Sequence, residues 1–177
     1  MVHKNTLEIK KICSSQIEFL LEKILALVNE ITMEMVYLNK NEQERKNLLY
    51  ATEGFNEIRP LLIHILKHDS AFVMPYIKKV LNLLNKNDQE AFENYQNLKG
   101  PVADLITKQV MVISLFNRLR SDTNNYNLFF ETDSACKKLI FNIFELNQQV
   151  EKYVFVEENL LFPGLVQLFQ TQLVKPN

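Results

Sequence analysis

The chain has 177 residues, 47% of them hydrophobic and 23% charged, with a formal net charge of -1 and a pI near 6.3. This near-neutral balance lacks the basic excess that would neutralise phosphates, which excludes nucleic acid as a main partner. The 3 glycines and 5 prolines are too few for a turn-rich β-sandwich. No apolar run reaches the roughly 18 residues of a membrane span, and the N-terminus has no apolar signal core. We therefore expect one helical cytoplasmic domain over 1–177 that does not contact a membrane.

Apolar residues recur at helical spacing along most of the chain. NKNE at 39–42 ends the first run, and Asn41 with Glu44 forms a candidate capping box for the second. Pro60 and Pro75 predict bends in that second helix. The first predicted helix covers about 6–38, and the second runs from the NKNE break to about 84. The later predicted helices cover 88–98, 102–120 and 134 to about 172.

The breaks between the later helices are also readable from the sequence. NKND at 85–88 ends the second helix, and Gly100 with Pro101 predicts a stop followed by a new start. The segment 121–132 is the longest predicted loop, and Asp133 is a candidate cap for the last helix. Four long helices with short connections predict an all-α, antiparallel four-helix bundle.

The two halves of the chain resemble each other. In one gapless alignment Asp69 pairs with Glu157, and in another Gln16 pairs with Gln109. The segments aligned are 58–77 with 146–165, and 14–21 with 107–114. The pattern suggests a helix pair used twice.

Each long helix interrupts its apolar seam once with a polar residue. The interruptions are Gln16, Asp69, Gln109 and Glu157, in chain order. Burying an unpaired carboxylate costs several kcal/mol, so four such residues facing inward would have to bond to one another. In the alternative interpretation, one or two of them turn toward solvent. The predicted seams are Ile9, Ile12, Leu20 and Leu27; Leu62, Ile65, Phe72 and Tyr76; Leu105, Val112, Phe116 and Leu119; and Val150, Val154, Leu161, Leu165 and Leu168.

Three short motifs carry a family resemblance: DTNNY at 122–126, Ala135-Cys136, and YVFVEENLLFP at 153–163. Together they resemble the hemerythrin-like (HHE) domain, and most closely its iron–sulfur cluster repair (RIC) subgroup, also described as regulators of nitric oxide signalling. The resemblance extends over about 105–168 and is faint over 10–80. It implies a four-helix bundle with a non-haem di-iron centre in its core and a role in stress response.

The chain departs from that family at the ligand positions. The resemblance places carboxylate ligands at Asp69 and Glu157, which this sequence keeps. The histidine positions hold other residues, namely Gln16, Ile65, Gln109 and Tyr153. Since a hemerythrin-type centre needs several imidazoles, we expect no di-iron site, no cofactor and no catalytic residue here.

His64 and His68 are the alternative metal ligands, because they lie one helical turn apart. Most simply, both lie on the side or surface of the second helix. An iron or zinc site would need Glu157 as its further ligand.

The sequence thus predicts a polar plug of Gln16, Asp69, Gln109, Tyr153 and Glu157 in place of iron. Amide and phenol groups would hydrogen-bond the acids, and burial would raise the pKa of at least one of them. In the alternative interpretation, water molecules take the role of these side chains and hydrogen-bond the acids.

The leading functional hypothesis is a non-enzymatic binding or regulatory module with an unknown protein partner or small ligand. The rivals are a metal-binding (iron or zinc) stress-response protein with altered ligands, and an unrelated helical scaffold. Core packing in a thick bundle is the simpler expectation for Phe155, and in the alternative it contributes to a homodimer face.

The two cysteines, Cys13 and Cys136, are expected to be reduced thiols rather than a disulfide. Cys136 could be a reactive thiol near a helix N-terminus, but a buried apolar role is the simpler expectation.

Overall fold

A computed structural model describes residues 2–40, 46–84, 88–127 and 134–173. Within these ranges every residue is helical except Leu84 and the segment 123–127. The all-α fold class predicted from the sequence is confirmed. None of the helices in the described ranges combines the length and apolarity that crossing a bilayer requires.

Four long helices form the bundle, and three of them change from α to π geometry for one turn before continuing as α-helix. The first, second and fourth long helices each contain such a turn, whereas the third is α-helical throughout. Their segments are Val2–Lys11, Ile12–Ile17 (π) and Glu18–Lys40; Lys46–His68, Asp69–Val73 (π) and Met74–Leu83; Asp88–Asp122; and Ser134–Val156, Glu157–Leu161 (π) and Phe162–Leu173.

The first long helix packs mainly on the fourth, and the second mainly on the third. Within each pair of neighbouring helices, residues later in one helix contact residues earlier in the other. This is the pattern of contacts between helices that run in opposite directions. These contacts are Lys23–Glu145 and Glu34–Lys138 (first and fourth), Gly54–Leu119 and His64–Lys108 (second and third), Lys10–Asn82 and Glu18–Lys78 (first and second), and Gln109–Glu157 and Arg120–Glu151 (third and fourth).

The third long helix runs without interruption through Gly100 and Pro101, so the predicted break between 88–98 and 102–120 is wrong. Its buried residues recur at seven-residue steps on both sides of the proline: Ala91, Leu98, Leu105, Val112 and Leu119. Gly100 is exposed and lacks the Cβ that would crowd a helical residue before proline. Continuous burial of this seam outweighs the single backbone hydrogen bond lost at Pro101.

The predicted seams of the third and fourth helices are confirmed, since all their named apolar residues are buried. The second-helix prediction is wrong for Phe72 and Tyr76, which are 61% and 37% exposed. Val73 and Ile77 are buried in their place, because the π turn begins at Asp69 and shifts the inward face by one position.

The third helix ends in a left-handed turn, in which Asn124, Asn125 and Tyr126 have φ of 49°, 59° and 60°. The Thr123 hydroxyl accepts a hydrogen bond from the Tyr126 N–H at 3.2 Å and donates one to the Leu119 carbonyl at 2.7 Å, which fixes this exit. The predicted loop thus begins two residues later than expected.

The capping box of Asn41 with Glu44 and the cap at Asp133 both lie outside the described residues.

Candidate functional site: a buried carboxylate cluster

Four polar side chains meet in the middle of the bundle. They are Asp69 from the second long helix, Gln109 from the third, and Tyr153 and Glu157 from the fourth; each is at most 1% exposed. Gln109 Nε2 donates a short hydrogen bond to Glu157 Oε2. Tyr153 interacts with both carboxyl groups, and the two carboxyl groups interact with each other. We call these four residues the buried polar cluster.

The fifth residue of the predicted plug, Gln16, lies outside this cluster. Its side chain is exposed, so its predicted inward orientation is wrong. The buried positions of this part of the first helix are Cys13 and Ile17, and Gln16 falls one residue before the seam. Cys13 instead faces the cluster, and the charges of Asp69 and Glu157 contribute to its raised pKa.

The three π turns position these groups. The backbone N–H of Met74 donates to the Asp69 carbonyl, that of Phe162 to the Glu157 carbonyl, and that of Glu18 to the Cys13 carbonyl. Each bond spans five residues instead of four, so each turn holds one more residue than an α-helical turn. In all three helices, the residue whose carbonyl accepts this five-residue hydrogen bond is also the residue whose side chain faces the cluster.

The cluster contains more acceptors than donors. In the described part of the chain, five of its buried oxygens have no hydrogen-bond partner of good geometry. The Tyr153 contacts with the acids are close enough to shift their pKa values but do not reach that geometry. The five atoms are Asp69 Oδ1 and Oδ2, Gln109 Oε1, Tyr153 Oη and Glu157 Oε1.

Burial raises the pKa of the Asp69 carboxyl to about 7, an effect partly opposed by Tyr153 and Glu157. It raises the pKa of Glu157 well above its ordinary value, with the Asp69 charge adding to the effect and Tyr153 and Gln109 opposing it. Two acids this close titrate as a pair. Near neutral pH the pair therefore retains a proton, which supplies a donor to an acceptor-rich cavity.

The other two titratable groups stay neutral. Burial, followed by the charges of Glu157 and Asp69, raises the pKa of the Tyr153 phenol well above its usual value. Burial is also the main cause that raises the pKa of Cys13 to about 12, against the opposing charge of Lys78. Cys13 is therefore a thiol rather than a nucleophilic thiolate.

His64 and His68 lie outside the buried polar cluster. His64 is exposed, His68 is half-buried, and both face the third helix, where His64 contacts Lys108. Both therefore lie on the side or surface of the second helix, and the alternative metal site of these histidines with Glu157 is not assembled, because Glu157 is fully buried within the cluster. Ile65, at a histidine position of the resembled family, is 1% exposed and packs in the apolar core.

Sequence reasoning missed Cys13 and the π turns. The available signal for Cys13 was its residue type, because free cysteine is among the residues most often buried, and it lies three residues before Gln16. Nothing in the local sequence distinguishes a π turn from an α turn. Cys136, which was expected to have an apolar role, is buried.

The chain matches no family model, no curated protein and no solved structure. In the described residues, no three His, Cys, Asp or Glu side chains are grouped so that they could hold a metal ion. The cluster's donors are two carboxyls, one amide and one phenol, and this set does not fit the imidazole-rich di-iron centre that the resemblance implies. Chemically, the cluster can hold a proton or accept hydrogen bonds, but it presents no activated nucleophile.

Proposed function

We propose that this chain is a hemerythrin-like bundle, related to the di-iron cluster-repair proteins, that has exchanged its metal centre for a hydrogen-bonded acid cluster. In this proposal it acts as a non-enzymatic binding or regulatory module of the cytoplasm. One observation carries the proposal: Asp69, Gln109, Tyr153 and Glu157, all placed at ligand positions by the resemblance, meet in one buried cluster.

The π turns add independent support. Asp69 and Glu157, which pair in the alignment of the two halves, each begin a π turn in its own helix. A repeated helix pair explains why both acids sit at the same point of the same backbone irregularity. π turns are frequent at functional sites, so we infer that the bundle inherited them from a ligand-binding ancestor.

A second candidate is a metal-binding stress-response protein with altered ligands. The observation in its favour is the set of five buried oxygens without a partner, which would suit a hard cation as well as a shared proton. The two candidates differ in what Glu157 does, because it is an essential ligand in one and a hydrogen-bonding group in the other.

Metal analysis combined with thermal unfolding separates them. The chain is expressed in medium supplemented with iron and zinc, as wild type, Glu157→Gln and Glu157→Ala. We expect no stoichiometric iron in any variant and a melting temperature for Glu157→Gln equal to or above that of wild type, because glutamine keeps the acceptor for Gln109 and removes a buried group that is costly to ionise. Stoichiometric metal in wild type that is lost in both variants would contradict the proposal and support the second candidate.

We also propose a protein partner, with a second copy of this chain as the first to test. Phe141 and Phe155 on the fourth helix are 53% and 58% exposed, so both offer apolar area that a partner could cover. Sedimentation of wild type and Phe155→Ser at matched concentrations tests this directly. We expect a dimer that weakens in the variant; monomers in both samples would rule out self-association.

A further inference from the structure

The fourth long helix carries a row of exposed side chains on its outer side. This helix packs mainly on the first helix and also contacts the second and third, so its remaining side faces away from the bundle. Exposed residues recur there at steps of three and four, which is the spacing of one helix face. We call this row the outer stripe; it consists of Phe141, Phe144, Gln148, Lys152 and Phe155.

Phe155 stands between two residues of opposite charge. Lys152 lies three residues before it and Glu158 three residues after it. Both are exposed, and within the described ranges neither forms an ion pair with another side chain. At a rise of about 1.5 Å per residue, the two charges lie roughly 4.5 Å from Phe155 along the helix axis, in opposite directions.

This order of charges makes the helix face complementary to a second copy of itself. In a closed dimer the same patch of both copies meets across a two-fold axis. Where two fourth helices cross antiparallel at Phe155, Lys152 of each copy lies at the height of Glu158 of the other. Two ion pairs then flank a central pair of phenylalanine rings, whereas a parallel arrangement would place lysine against lysine.

The complementarity continues beyond the charges. Phe144 lies eleven residues before Phe155 and Val166 eleven residues after it, and both are exposed. The same antiparallel pairing therefore brings Phe144 of one copy to the height of Val166 of the other. Each of the two contacts removes apolar area from water.

The other exposed phenylalanines of the described residues lack this arrangement. None of them has a cation three residues away on one side and an anion three residues away on the other. The flanking residues are Gln16 and Glu22 for Phe19, Asp69 and Pro75 for Phe72, Lys138 and Phe144 for Phe141, and Phe141 and Asn147 for Phe144.

We propose that the chain forms a two-fold dimer in which the fourth helices of two copies cross antiparallel at Phe155, with Lys152 of each copy paired to Glu158 of the other. This pairing deepens the proposed self-association, on which it rests, by naming the face and the orientation of the two copies. One helix face is small compared with the roughly 800 Å² per partner of a standard interface, so the dimer is weak and concentration-dependent. The exposed ion pairs set its orientation more than its affinity.

Sedimentation equilibrium of charge-reversal variants of the full chain tests the pairing. We expect Lys152→Glu and Glu158→Lys each to weaken the dimer by about tenfold, because each turns two attractive contacts into two repulsive ones. The double variant Lys152→Glu with Glu158→Lys restores the opposite charges and should return to within about threefold of wild type.

Lys67→Glu is the matched control, because it reverses an exposed lysine on the second helix. It changes the net charge from -1 to -3, as Lys152→Glu does, and should leave the dimer unchanged. All these changes are at exposed positions, and a melting curve of each variant checks that it is folded.

Three results would overturn the pairing. A wild-type dimer that neither single reversal weakens would use another face, and the proposed self-association would stand without this orientation. Two weakened single variants whose double reversal stays weak would show that Lys152 does not meet Glu158. Monomers at every concentration would remove the dimer and the self-association together, but not the proposed loss of the metal centre, which the Glu157 variants test separately.

Discussion

The two acids of the buried polar cluster occupy equivalent backbone positions in very different surroundings. Asp69 and Glu157 each begin a π turn, and each is completely buried. Glu157 receives a hydrogen bond from the Gln109 amide of the neighbouring third helix. Asp69 has no such amide, because Gln16 on the first helix is exposed and the thiol of Cys13 takes the inward position.

This difference shows that the same π turn does not by itself produce the same surroundings for a side chain. The backbone geometry of both turns is the same, but the donor must come from another helix whose register is set independently. Tyr153 and Gln109 oppose the rise that burial causes in the pKa of Glu157, but the Asp69 charge adds to that rise, whereas the pKa of Asp69 is lowered by both Tyr153 and Glu157. Three sets of variants test this asymmetry.

The largest expected effect is on the pH dependence of stability. The Asp69 pKa is raised to about 7 in the folded chain, so the folded state binds more protons than the unfolded state above about pH 4. The contribution of Asp69 to stability should therefore be fully present below that pH and be lost as pH rises through about 7, by an amount on the order of 4 kcal/mol. Asp69→Asn should remove most of this fall.

Urea unfolding of both proteins at pH 4.5, 6, 7.5 and 9 measures this slope. The difference between the two curves cancels the titration of groups elsewhere, such as His68, whose lowered pKa acts in the opposite direction at low pH. Parallel curves for wild type and Asp69→Asn would mean that Asp69 is not protonated in the folded chain.

The second largest expected effect is the difference in stability between variants of Gln109 and Gln16. Gln109→Leu leaves Glu157 Oε2 buried without its donor and should lower the free energy of unfolding by about 2–3 kcal/mol at pH 7.5. Gln16→Leu, the same change at an exposed position, should stay within about 0.5 kcal/mol of wild type. Denaturant unfolding of both variants gives the comparison. Equal losses would show that both amides support the cluster, contrary to the structure.

The smallest expected effect is that of removing the Tyr153 hydroxyl. Tyr153→Phe removes a group that lowers the pKa of both acids but lacks full hydrogen-bond geometry, so we expect a loss of about 1 kcal/mol at pH 7.5. The loss should shrink at pH 4.5, where the acids are protonated. Tyr95→Phe, which changes a half-buried tyrosine stacked on Phe169, is the control and should show no such pH dependence.

The sequence by itself determined the helical class, the apolar seams of the third and fourth helices and the inward positions of Asp69, Gln109 and Glu157. These follow from the period of the α-helix, which any run of apolar residues reveals. The sequence could not place Gln16, Phe72 or Tyr76, because one extra residue in a π turn changes which face of the helix is buried.

Only the tertiary structure decided which polar groups meet. Burial of the apolar seam along the third helix outweighed the stop signal at Gly100 and Pro101. The register between helices places the Gln109 amide against Glu157, whereas the inward position of the first helix holds the Cys13 thiol. The same packing brought Lys108 and Asp104 opposite His64, residues some 40 positions away in sequence. Local propensity carries no information about such distant pairs, since their proximity results from how whole helices pack.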